Sequence, residues 1–182
     1  LSADYQVPTT AFEQKFFNEI EKFAFYKALD EKCVQNAGKD IPALKAAGEY
    51  KEIVANLLET KGLNYGQLPK GLLLFHTYPE SVRTAMEEHL AEGAMYAKNN
   101  AGEVNIHFTV SPEHQALFEQ LVAEKAGAYE DQFSVKYDVS FSIQKPSTDT
   151  VAAAMDNTPF RDKNGKLLFR PGGHGALIEN LN

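Results

Sequence analysis

The segment Phe169-Arg170-Pro171-Gly172-Gly173-His174-Gly175-Ala176-Leu177-Ile178 sets three glycines and a histidine between an apolar run and a helix-like start. Glycine opens backbone angles closed to other residues and lets a ligand come up against bare main chain. A helix N-terminus just beyond would add unpaired N–H groups that favour anions. Spacing alone leaves two readings: a glycine-rich turn, or a loop against which a ligand lies. Gln144 heads a second segment, Gln144-Lys145-Pro146-Ser147-Thr148-Asp149, directly after an alternating apolar run. Its carboxamide presents an acceptor and two donors side by side, which suits the paired edge of a nucleobase. Pro-Ser-Thr-Asp is equally good turn chemistry. Lys70, within Leu68-Pro69-Lys70-Gly71, is either an exposed surface charge or a compact cation for a phosphate.

The remaining titratable residues form no known constellation. His107 falls on the face of its alternating segment opposite the apolar set, His89 is mid-helix and His114 lies in a first helical turn. No H-x-H, HExxH or CxxC occurs, so no metal site is assigned; G-x-S-x-G is also absent. Asp131, Asp138, Asp149, Asp156 and Asp162 are too scattered to name a metal ligand.

The elements that must position these residues follow from periodicity. Thr10-Ala11-Phe12-Glu13 has the capping-box form, and Phe12, Phe16, Phe17, Ile20, Phe23 and Ala24 then recur at helical spacing. A second helix is expected from Pro42 to Lys61, ending at Gly62. Leu72 to Phe75 reads as a buried strand and Ser81 to Asn99 as a helix. Glu103 to Val110 alternates strictly, and Ser111-Pro112-Glu113 opens a helix to about Lys125. Tyr137 to Ile143 is another strand, and Val151 to Met155 and Lys166 to Phe169 are strands around an Asn164-Gly165 turn. Strand, helix, strand, helix, strand from Leu72 onward is the order of an α/β unit with a mainly parallel sheet. In such sheets ligands sit at the carboxyl ends of strands, where the Gln144 and Gly172 segments fall.

With 182 residues, the chain can bury a substantial core; 43% apolar and 24% charged residues are ordinary for a globular protein. A net charge of −7 gives no basic face for nucleic acid. Leu72-Leu73-Leu74-Phe75, the longest aliphatic-aromatic run, is far too short to span a membrane. Cys33 is the single cysteine, which excludes an intrachain disulfide, fits a reducing compartment such as the cytoplasm, and points to packing. The chain opens on Leu1 and stops in a helical pattern at Asn182, as expected of an internal piece of a longer protein.

Pro69-Lys70-Gly71, the strand-end Gln144 with its following Pro146, and Pro171-Gly172-Gly173-His174-Gly175-Ala176-Leu177, in that order, resemble the eukaryotic-type UDP-sugar pyrophosphorylases. The stretch from Leu68 onward is also similar to an uncharacterised bacterial family related to these nucleotidyltransferases. The resemblance implies a GT-A-like, Rossmann-like mainly parallel sheet over residues 67–182, with residues 1–66 as a helical insertion. It implies uridylyl transfer from UTP to a sugar 1-phosphate, with Lys70 on phosphate as the catalytic cation. Gln144, Pro146, Gly172, Gly173, His174 and Gly175 would bind nucleotide: Gln144 and the Gly173 backbone on the base edge, His174 toward the ribose or sugar. Mg²⁺ is implied for the full enzyme, its ligands expected beyond Asn182, and a glycine-rich phosphate loop before Leu1. The isolated chain is therefore expected to be inactive. A non-catalytic nucleotide- or sugar-binding domain is the alternative.

Overall fold

A computed structural model describes residues 7–173 and 177–181. The chain divides into two compact units, with the division between Ala91 and Glu92.

The first unit is built on short helices. Thr10 caps α1 (Ala11–Asn18): its hydroxyl accepts from the Glu13 N–H at 3.2 Å while the Glu13 carboxylate accepts from the Thr10 N–H at 2.9 Å. The expected apolar stripe does not continue as one helix. α1 ends at Asn18 and a 3-10 turn, Ile20–Lys22, follows, so Phe17 and Ile20 are buried while Phe12 stays 80% exposed. Next come α2 (Tyr26–Ala37), α3 (Ile41–Ala46) and α4 (Tyr50–Leu58). The single helix expected from Pro42 to Lys61 is thus two, broken at Gly48, whose φ of 74° is left-handed and cannot continue a right-handed helix. Leu29, Cys33, Ile41, Leu44 and Ile53 close the core around Phe17 and Ile20. Cys33 is a packing residue, and burial pushes its thiol up to about 11.

Asn56 is fully buried in this core, and its polar atoms are satisfied. It accepts from Asn36 at 2.6 Å, donates to the Glu52 carbonyl at 2.9 Å, and its own carbonyl accepts from the Leu63 N–H at 2.7 Å.

At Leu72–Phe75 the structure differs from the buried strand that was expected. Lys70–Leu72 is a 3-10 turn, and β1 (Leu74–Tyr78) is mostly exposed and pairs antiparallel with β2 (Ser81–Thr84). The helix expected from Ser81 begins only as α5 (Ala85–Tyr96). Thr84-Ala85-Met86-Glu87 explains the later start. The Thr84 hydroxyl accepts from the Glu87 N–H at 3.2 Å and the Glu87 carboxylate from the Thr84 N–H at 2.8 Å, a second capping box.

In the second unit, β3 (Glu103–Val110), α6 (Gln115–Phe133) and β4 (Lys136–Ile143) form one parallel β-α-β unit. The two strands pair without a break from Glu103↔Lys136 to Val110↔Ile143. α6 starts at Gln115, because the Ser111 hydroxyl meets the His114 ring at 2.7 Å rather than capping a helix at Pro112, and it runs past Lys125 to Phe133. Ala94, Val104 and Val135 make this unit's core, and Phe118 from α6 lies over Phe141 of β4. β5 (Thr150–Val151) pairs antiparallel with β6 (Phe169–Arg170), and a short helix, α7 (Ile178–Leu181), closes the described chain. Among the described residues the fold is mixed α/β, with one parallel and two antiparallel two-stranded sheets.

Candidate functional site

The carboxyl end of β4 is where sequence-expected residues meet. Ile143 ends the strand, Gln144 leaves it, and Pro146 opens a 3-10 turn, Pro146–Thr148, that delivers Thr150 into β5. β5 pairs Thr150 with Arg170, and Pro171-Gly172-Gly173 follow at once. The antiparallel pairing therefore folds the glycine segment back onto the strand end.

Gln144 donates its carboxamide to the Gly172 carbonyl at 3.3 Å and to the Thr148 hydroxyl at 3.4 Å. Thr148 in turn donates to the Lys145 carbonyl at 2.7 Å, which fixes the turn. Both bonds from Gln144 are at the long end of the hydrogen-bond range, so each is weak and exchangeable. An amide so placed can release either partner to a ligand at little cost. Gly172 is half-buried beside it, whereas Gly173 is exposed, and a Cβ built on Gly173 would meet nothing within 4 Å among the described residues. The main chain at Gly173 is thus open to an approaching molecule. His174 and Gly175 lie outside the described residues.

The other end of the glycine segment is tied to the same strand end. Asn180 of α7 donates to the Ser142 hydroxyl at 3.0 Å and to the Ile143 carbonyl at 2.9 Å. Lys145 donates to the Glu179 carbonyl at 3.1 Å and faces the Glu179 carboxylate at 3.7 Å. Ser142 belongs to a polar ladder on the face of β3–β4 opposite the apolar side chains. There the His107 ring lies 2.8 Å from both the Ser140 and Ser142 hydroxyls, and Thr109 lies 3.2 Å from Ser142. Periodicity places His107 on this face; the register that sets it opposite Ser140, and Thr109 opposite Ser142, was the part it did not reveal. Asn180 and Lys145 as loop anchors gave no signal in sequence, since both roles depend on the fold-back at β5–β6.

Lys70 belongs to the first unit, where it is exposed and opens the 3-10 turn after Pro69; the Leu73 N–H donates to its carbonyl at 3.1 Å. Among the described residues no group of three or more His, Cys, Asp or Glu side chains could hold a metal ion. No helix of the described chain is long and apolar enough to cross a membrane.

No curated protein and no solved structure matches the chain. Residues 1–182 match the family described as domain of unknown function DUF4301, and the chain belongs to that family.

Proposed function

We propose that this chain supplies the base-binding part of a nucleotidyltransferase-like protein with a GT-A-like fold. The reaction is transfer of a uridylyl group from UTP to a sugar 1-phosphate. A phosphate oxygen of the sugar phosphate attacks the α-phosphorus of UTP, the bond from that phosphorus to the bridging oxygen breaks, and pyrophosphate leaves. The observation that carries the reading is the contact between Gln144 and Gly172 across 28 positions of sequence. It unites the strand-end carboxamide with the glycine segment, and the parallel β3-α6-β4 unit puts both at a strand carboxyl end, where α/β sheets bind ligands.

In this reading Gln144 and the Gly173 N–H read the uracil edge, Pro146 shapes the segment beside them, and Gly172 and Gly175 admit the ligand. His174 faces the ribose or sugar, and Lys70 neutralises phosphate charge. Catalysis in this class is mainly positioning and charge neutralisation, with Mg²⁺ from outside the described residues supplying part of the latter. Residues 1–66 act as a helical insertion before the 67–182 domain, and the cytoplasm is the proposed location. The isolated chain binds nucleotide weakly and does not release pyrophosphate.

The test is thermal-shift titration of the chain and its Gln144→Ala variant with UTP, UDP-glucose and purine nucleotides. The uridine compounds should raise the melting temperature of the parent chain most, and Gln144→Ala should erase that preference. An equal response of the parent chain to every base would remove the assignment of Gln144.

A further inference from the structure

A second feature of the β5–β6 arm is not used by base recognition. Three chain segments are tied there in a closed triangle of backbone bonds. The Ala152 N–H donates to the Leu168 carbonyl at 2.8 Å, the Leu168 N–H to the Phe160 carbonyl at 3.1 Å, and the Phe160 N–H to the Ala152 carbonyl at 2.7 Å. These bonds frame a cleft of about 480 Å³ lined by Ala152, Ala153, Phe160, Leu168 and Arg170. That volume lies in the range of small-ligand pockets, and the backbone bonds hold three of its lining residues, Ala152, Phe160 and Leu168, in fixed relation. Four of the five lining residues are apolar and the fifth is Arg170. Two alanines leave the space open, and Phe160 offers a flat apolar surface.

Among the described residues Arg170 makes no ion pair or side-chain hydrogen bond, whereas Lys145 faces Glu179 and Arg161 donates to the Gly165 carbonyl at 2.8 Å. Arg170 is exposed, so its charge is accessible to an anion from solvent. Residues 144–173 hold five basic against three acidic side chains, in a chain of net charge −7. The arm is therefore locally attractive to anions. Arg170 also pairs with Thr150 and precedes Gly172 by two residues, so an anion held there sits on the same arm as the base-reading segment.

We propose that Arg170 and this cleft bind the phosphate of a phosphorylated ligand, the guanidinium forking onto two phosphate oxygens while the apolar walls take the body attached to it. The choice of phosphate over carboxylate rests on the nucleotidyl-transfer reading, since a guanidinium forks onto both.

The test is calorimetric titration of the full 182-residue chain with inorganic pyrophosphate, inorganic phosphate and citrate. Pyrophosphate should bind saturably. Arg170→Gln should weaken it by at least roughly tenfold, and Arg170→Lys by less, because an ammonium keeps charge but not the fork. Arg161→Gln, whose guanidinium bonds its own turn, should leave pyrophosphate affinity unchanged. Urea midpoints certify that each variant folds; should Arg170→Gln not fold, Arg170→Lys against the parent chain decides. No binding by the parent chain, unchanged affinity in the Arg170 variants, an equal loss in Arg161→Gln, or citrate binding as tight as pyrophosphate each overturns the proposal. Titrations with UMP and AMP test the base reading separately. If the two bind alike while pyrophosphate still depends on Arg170, uracil recognition fails and the phosphate cleft stands.

Discussion

Replacing Gly173 by alanine separates what the fold needs from what a ligand needs. A methyl group at this position would meet nothing within 4 Å among the described residues, and Gly173 is not among the left-handed glycines described, Gly38, Gly48, Gly102 and Gly165. The native backbone therefore accepts alanine without strain. The unfolded chain loses freedom on the same change, so Gly173→Ala should stabilise the protein by about 0.4 to 1 kcal/mol. Ligand binding should move the other way. The proposed base contact uses the main chain at Gly173, and a methyl there occupies the space the base must enter. Losing one backbone hydrogen bond and leaving its donor desolvated costs about 2 kcal/mol, roughly thirtyfold in Kd. Urea denaturation followed by circular dichroism reads the first effect, and calorimetric titration with UTP reads the second. The signature is the opposite sign of the two changes. A stability loss of similar size would mean that the glycine serves the fold, and an unchanged UTP affinity would mean that no ligand uses this backbone.

Gly62→Ala is the structural counterpart: its Cβ would stand 1.8 Å from the Asn56 carbonyl oxygen, the acceptor of the Leu63 N–H, so the backbone itself must move. The same urea experiment should show a loss of about 3 kcal/mol or more, overpacking and a broken buried hydrogen bond combined. Glu13 has its carboxyl held below the usual carboxylate range by the Thr10 and Thr9 N–H groups. Its contribution to stability is thus present above the unfolded value, about 4.3, and disappears as pH falls through the lower folded value; Glu13→Gln should flatten the stability–pH curve in that window. Cys33, buried and raised to about 11, should resist an aromatic disulfide reagent at pH 8 in the native state and react fully in urea.

Local signals in the sequence carried much of the second unit and less of the first. Strict alternation at Val104, Ile106, Phe108 and Val110, and again at Tyr137, Val139, Phe141 and Ile143, marked two strands that the structure pairs in register. The Thr10–Glu13 box was equally legible, since its bonds are made within four residues. The Thr84–Glu87 box has the same chemistry but was masked by Val82, which fits a helical stripe as well as a strand. Gly48 carries one backbone angle that broke a helix the apolar periodicity ran straight through. Leu72 to Phe75 is apolar because Leu74 packs on the helical core, not because the run is a central strand. Periodicity reports which side chains are wanted inside; it does not report which backbone partner a short strand will find.

What the candidate site owes to tertiary structure is the way both ends of the glycine segment are fastened to one strand. Gln144 holds Gly172 at its start, while Ser142, Ile143 and Lys145 hold Asn180 and Glu179 at its end. All these partners fall within four consecutive positions of β4 and its exit. Both described ends of the segment, Gly172 and Glu179–Asn180, are therefore held at the same strand end. Fastening the two ends of a segment lowers the conformational entropy that remains to be lost when a ligand binds, which is the physical advantage of building a recognition segment this way. The His107–Ser140–Ser142 ladder extends the fastening into the sheet itself, since Ser142 is shared between His107 and Asn180. Gly172 and Gly173, the described glycines of the segment, carry no side chain between the Gln144 contact and solvent, so a ligand at this strand end would meet main chain first.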